Sequence, residues 1–161
     1  MISTNGTLNL RNLFEHLPGS FGYVRKNHIH EGVDLYGEDG EEVYPFIAGV
    51  VIAVYDFTGA SVGMPWWNET KAVAIADEAG VWVYGEISPV VNVGDVVTPS
   101  ETIGRLKQVL KKDKGRPMTM LHVERWKGGY TPHTFLWNLG TPQPEFLLDP
   151  TQDLIELFNG R

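Results

Sequence analysis

The sequence predicts a mostly β domain, an antiparallel barrel or sandwich with short helices only near its ends. Three observations carry this. Short β-branched and aromatic runs recur with turn residues between them. Helical spacing of apolar residues is confined to the two ends. Glycine and proline, 18 and 10 in number, fall between the runs rather than inside them.

Residues 8–17 set Leu10, Leu13, Phe14 and Leu17 at helical spacing, and Pro18-Gly19 stops the pattern. An amphipathic N-terminal helix within residues 1–18 is expected. Val43, Tyr44, Phe46 and Ile47 open the β region, and the run Val50 to Tyr55 continues it. Lys71 to Ile75, Val81 to Tyr84 and Val90 to Val93 read as further strands. Gly94-Asp95 between Val-rich flanks reads as hairpin chemistry. Asp149-Pro150-Thr151-Gln152 starts a C-terminal helix: Asp caps it, and Leu154, Ile155, Leu157 and Phe158 form its apolar face.

With 161 residues, 42% hydrophobic and 20% charged, and no visible linker or repeat, residues 1–161 read as one globular domain. The net charge of -7 argues against nucleic acid or an anionic membrane as main partner. There is no cysteine, so disulfides and thiolate ligands are excluded. No signal peptide and no membrane-spanning run is visible, which points to a soluble chain without membrane insertion.

His30-Glu31-Gly32-Val33-Asp34 places an imidazole and a carboxylate four residues apart, and His122 lies far downstream in Met120-Leu121-His122-Val123-Glu124. Imidazole nitrogen and carboxylate oxygen are ordinary zinc ligands. A straight strand would separate the Cα atoms of residues 30 and 34 by roughly 13 Å. Chelation of one ion therefore requires a bend, for which Gly32 is the cheap position. Alone, the His and Asp read as a surface turn and His122 as a satisfied buried histidine. His28 alternates with His30 and reads as a half-exposed structural histidine beside any site.

Two segments stand out further. Residues 56–70 carry Met64, Trp66 and Trp67 in a connection. They read as a minor core in preference to a ligand wall. Lys107, Lys111, Lys112, Lys114 and Arg116 form a basic patch on an acidic chain, read as a solvated hairpin.

The ordered series Ser20-Phe21-Gly22, His30-x-Gly32-x-Asp34, Gly40-x-x-Val43, Ala48-Gly49-Val50-Val51, Val93-Gly94-Asp95-Val96-Val97, Ile103-Gly104 and Leu121-His122-Val123-Glu124 resembles the lysostaphin-type (β-lytic) zinc metallopeptidases. These enzymes cut peptide cross-links of bacterial cell walls. The likeness covers residues 19–126, with a fragment at Leu148-Asp149-Pro150, and leaves 127–161 as a C-terminal extension. It implies an antiparallel barrel-sandwich hybrid, with His30, Asp34 and His122 binding one zinc ion and a peptide or peptidoglycan-like ligand in a groove. Glu124 would then be a hydrogen-bond acceptor for a ligand histidine.

Two catalytic histidines of that family are missing. Met120 stands at the first position of the His-x-His motif, and Glu86 in Tyr84-Gly85-Glu86-Ile87 stands at the other. Methionine has no transferable proton, whereas glutamate can act as a base but, when ionised, cannot donate to an oxyanion. Met120 should share the face of His122 and line the groove. The leading expectation is a zinc-binding protein degenerate in catalysis. A working zinc hydrolase with Glu86, or less favourably His28, as base is the alternative. A biotin- or lipoate-type carrier module also uses a Gly-Asp-Val-Val hairpin, but no lysine-bearing tip is evident.

Overall fold

The computed structural model describes residues 8–112, 114 and 118–159. Part of the basic patch, Arg116 included, lies outside the described residues. The chain runs α1 (Arg11–Phe14), β1 (His28–Ile29), β2 (Val33–Tyr36), β3 (Glu42–Val43), β4 (Gly49–Thr58), a 3-10 turn (Ala60–Val62), β5 (Thr70–Asp77), β6 (Gly80–Pro89), β7 (Val96–Val97), β8 (Gly104–Leu106), β9 (Met120–Trp126), β10 (Trp137–Asn138), β11 (Leu147–Leu148) and α2 (Thr151–Asn159).

The main sheet has nine strands, with the path β11-β9-β6-β5-β4-β7. Strand β2 adds to β9, and β8 joins β6 to β3. All of its pairings are antiparallel. The class is the predicted one, although the path ends at β11 and β7 instead of closing into a barrel. No helix is long and apolar enough to cross a membrane among the described residues.

The period-two pattern sorts β9 into two faces. Leu121 and Val123 enter the main core with Val33, Leu35, Ile75 and Tyr84, while His122 and Glu124 point the other way. The second core, under that opposite face, gathers Phe57, Trp126 and Trp137.

Three local expectations need correction. The N-terminal helix spans four residues, not the whole of 8–17, because Glu15 is already extended. The Ser20 hydroxyl donates to the carbonyls of Asn12 and Glu15, satisfying by side chain what a further helical turn would have satisfied. Val90 to Val93 is not a strand: β6 ends at Pro89, and the next residues form a turn in which Asn92 N–H donates to Asp95 Oδ2. Gly94 there has φ of 96°, the left-handed conformation that a glycine turn supplies. The tryptophan loop is not a minor core, since Trp66 is 62% exposed. The C-terminal helix is as expected, with Thr151 N–H donating to Asp149 Oδ1 at 2.9 Å.

Candidate metal centre

Strand pairing builds the site. In the β2–β9 ladder Asp34 stands directly opposite His122, and in β6–β9 Gly85 stands opposite His122 on its other side. His30 precedes β2 and is fixed separately: its backbone N–H donates to Tyr23 O, and its carbonyl accepts from Gly22 N–H. Ligand atoms of His30, Asp34 and His122 all lie within 4.8 Å of one another, and all three residues are buried. The three residues singled out in the sequence therefore come together.

Hydrogen bonds decide which nitrogens are free. His30 Nδ1 lies 3.0 Å from the carbonyl oxygen of Ser20. That oxygen only accepts, so Nδ1 carries the proton and Nε2 is left over. Nε2 lies 3.3 Å from Asp34 Oδ1. His122 has a carboxylate oxygen 2.9 Å from each ring nitrogen, Glu124 Oε2 at Nε2 and the same Asp34 Oδ1 at Nδ1, so a neutral ring with its proton on Nε2 leaves Nδ1 over. Both leftover nitrogens thus converge on one carboxylate oxygen. Two imidazole lone pairs facing an anion require a positive charge between them, either a proton or a metal ion.

Without a metal the proton fills that need. Burial works to discharge His122, but its hydrogen bonds to Asp34 and Glu124 outweigh this and raise its pKa well above the ordinary histidine value. Burial likewise opposes ionisation of Asp34, yet the facing His30 and His122 hold its carboxyl well below the usual range. Arg25, itself anchored on Pro18 O, donates to Asp34 Oδ2 at 3.1 Å.

Glu124 has the acceptor role expected of it. Its second oxygen accepts from Trp126 Nε1 at 2.9 Å, so the carboxylate that orients His122 is itself held. Gly32 has a different role from the one expected. A Cβ there would lie 2.4 Å from Val123 O and 2.8 Å from His122 Nε2. The residue is glycine because the His122 ring passes over it.

Glu86 enters the same cleft through an irregularity in β6. Pairing shifts between Lys71↔Ile87 and Val73↔Tyr84, so β6 holds one extra residue there. Glu86 takes φ of 65°, the left-handed region that side chains seldom adopt. In a regular strand it would share the core-facing side of Tyr84. The bulge turns it into the cleft instead. Glu86 Oε2 is buried without a hydrogen-bond partner. Burial first, and the neighbouring Asp34 charge second, push its pKa up to about 8.

The cleft encloses about 80 Å³ and is lined by His30, Asp34 and His122 together with Arg25, His28, Glu31 and Glu86. Apolar walls come from Phe57, Met64, Trp67, Phe135 and Leu136. His28 is half-buried beside the site, as expected. Met120 is half-buried and is not among the lining residues, contrary to its expected place. It pairs with Tyr36 at the far end of the β2–β9 ladder. Trp67 lines the cleft because its loop is held from behind. Asn68 N–H donates to Val109 O, and Lys111 Nζ donates to Pro65 O. Of the basic run, Lys111 therefore braces that loop.

Sequence reasoning did not assign Arg25, Ser20 or Glu31 to the site. Ser20 and Glu31 sat inside the quoted motifs, but Arg25 had no local signal.

No protein-family model and no curated protein sequence matches the chain. Solved structures do. The antimicrobial peptidase lysostaphin from Staphylococcus simulans is similar with TM-score 0.58 and 17% identity, over 96% of this chain and 55% of that one. LytU is similar with TM-score 0.55 and 17% identity, over 86% and 81%. A catalytic-domain mutant of the prophage-encoded M23 protein EnpA from Enterococcus faecalis is similar with TM-score 0.50 and 22% identity, over 80% and 85%. The chain therefore has the fold of these lysostaphin-type peptidase structures, at 17–22% identity.

Proposed function

We propose that the protein binds one zinc ion through His30 Nε2, an oxygen of Asp34 and His122 Nδ1, and acts by binding a peptide or peptidoglycan-like ligand rather than by cleaving it. The observation that carries this is the convergence of the two unclaimed imidazole nitrogens on Asp34 Oδ1. The donor set suits zinc: two neutral imidazoles and one carboxylate, with acceptors behind both rings. Zinc in such a site supplies Lewis acidity and lowers the pKa of a bound water. Proton handling has to come from the chain, and the family's two histidines are here Met120 and Glu86. Met120 carries no proton to transfer.

A second reading keeps hydrolysis, and Glu86 favours it. Its bulge, left-handed backbone and buried carboxylate present a base to the cleft. Glu86 is outside the group whose ligand atoms lie within 4.8 Å of one another, which suits a base beside the centre more than a fourth ligand.

Metal analysis of the purified protein tests the centre, with one zinc per chain expected and none on His122→Ala. Incubation with cell-wall cross-link peptides separates the two readings. Binding without cleavage supports the first. Cleavage abolished by Glu86→Gln replaces it with the second.

A further inference from the structure

Arg25 is held more firmly than its place in a loop suggests. Between Gly22 and His30 the chain folds back on itself: Val24 bridges Ile29, Arg25 N–H donates to His28 O, and His30 N–H donates to Tyr23 O. One hairpin therefore fixes both His30 and Arg25. The side chain is anchored as well, since Nε and Nη2 both donate to Pro18 O, at 3.1 and 2.8 Å.

A guanidinium is planar, and its donors leave in fixed directions. Nε–H and one N–H of Nη2 point off its side, where Pro18 O takes both. The second N–H of Nη2 points off the end and donates to Asp34 Oδ2 at 3.1 Å. Nη1 sends an N–H off that same end, parallel to its neighbour's. No described residue accepts it. Nη1 is not shut off from solvent either, and Arg25 lines the cleft.

The unused donor thus runs alongside Asp34, whose other oxygen lies 3.3 Å from His30 Nε2 and 2.9 Å from His122 Nδ1. No other lysine or arginine is among the described lining residues. A ligand group that brings an oxygen to the place where those three side chains converge therefore meets a cationic donor already in position. One free N–H suits one oxygen, which is what a peptide carbonyl presents. Because three hydrogen bonds hold the guanidinium beforehand, binding carries little further cost of ordering it.

Resting on the zinc- and peptide-binding reading above, we infer that Arg25 Nη1 donates to the carbonyl oxygen of the ligand group that meets the metal. Arg25 then has two roles at once. Nη2 holds Asp34 Oδ2, and Nη1 receives the ligand, so the centre favours amide-type oxygen over groups that bring no oxygen.

The test uses protein of measured zinc content and two small metal-binding probes: acetohydroxamate, which carries an amide-type carbonyl, and imidazole, which carries no oxygen. In the wild type, NMR of the guanidinium groups should show the Arg25 Nη protons shifted and slowed in exchange by acetohydroxamate, and unmoved by imidazole. Arg25→Lys should weaken acetohydroxamate binding about tenfold, the worth of one charge-assisted hydrogen bond. Imidazole binding and zinc content should hold. Guanidinium signals unmoved by acetohydroxamate, or no binding of it to the zinc-loaded chain, would overturn the inference. So would two probes affected equally by Arg25→Lys, since Arg25 would then act through Asp34 alone. The NMR comparison needs only the wild-type chain, so it stands if the variant fails to fold. Failure of these comparisons with zinc bound removes this inference alone, whereas a wild type that takes up no zinc removes the proposed metal centre and the inference with it.

Discussion

Asp34 and His122 are cross-strand partners, and the same register that pairs their backbones brings Oδ1 to 2.9 Å from Nδ1. Because the side-chain period of a strand is two, a one-residue slip of β2 on β9 would move Asp34 to the core face. The pairing of Asp34 with His122 is thus a consequence of sheet register, and the sheet core beneath it, Val33, Leu35, Leu121 and Val123, holds that register.

Metal removal should therefore be felt as lost stability. A ligand that binds only the folded state adds about 2.7 kcal/mol at a hundredfold excess over its dissociation constant. Chelation should lower the wild-type melting temperature by several degrees, and zinc should restore it. Asp34→Ala should melt at the same temperature with and without chelator. A chelator effect that survives in Asp34→Ala would place the ion elsewhere.

Gly32→Ala separates a hinge role from a clearance role. If Gly32 only eased a bend, alanine would be nearly neutral, because its φ is not in the left-handed region. The structure instead puts the new methyl against His122 and Val123 O. Overpacking of that kind costs about 1–3 kcal/mol. Urea denaturation should show such a loss, together with weakened zinc uptake, as the His122 ring is displaced.

The cluster of His30, Asp34 and His122 was legible in the sequence, but the groups around it were not, and the difference is physical. His30, Asp34 and His122 have ligand chemistry in an ordered series of motifs. Alternation along β9 also gave His122 and Glu124 a shared face. Alternation failed for Met120, because sharing a face says nothing of how far along the ladder the cleft extends. Glu86 was flagged by its position, yet its entry into the cleft depends on a bulge that no residue in Tyr84-Gly85-Glu86-Ile87 announces. Arg25 reaches Asp34 from a loop nine residues upstream, where an isolated arginine has no pattern to betray it.

Glu124→Gln tests the bond behind the ligand. Glutamine keeps the shape and an acceptor oxygen, but its amide must face either His122 Nε2 or Trp126 Nε1, and one of those donors loses its partner. Loss of such a supporting contact typically costs about 10–100-fold in metal affinity. A competition assay with a zinc indicator should show weakening in that range. An unchanged affinity would mean that the His122 ring is positioned without Glu124.

Glu86 gives the metal-free protein a pH dependence of defined sign. Its carboxyl titrates near the ordinary glutamate value of about 4.5 when unfolded and is pushed up to about 8 when folded. Between those values the folded state binds more protons than the unfolded one, so stability falls as pH rises through the window. Above about pH 8 both states are ionised there, and the full penalty of burying the charge is present. Glu86→Gln has no proton to lose. Its stability relative to wild type, measured by urea denaturation in the presence of chelator, should therefore rise from pH 5 to pH 8 and then level. A difference that stays flat across this range would show that the Glu86 carboxylate is better solvated than its unpartnered oxygen implies. With zinc present the same comparison should flatten, because a nearby divalent cation favours the ionised carboxylate and draws its titration down towards the unfolded value.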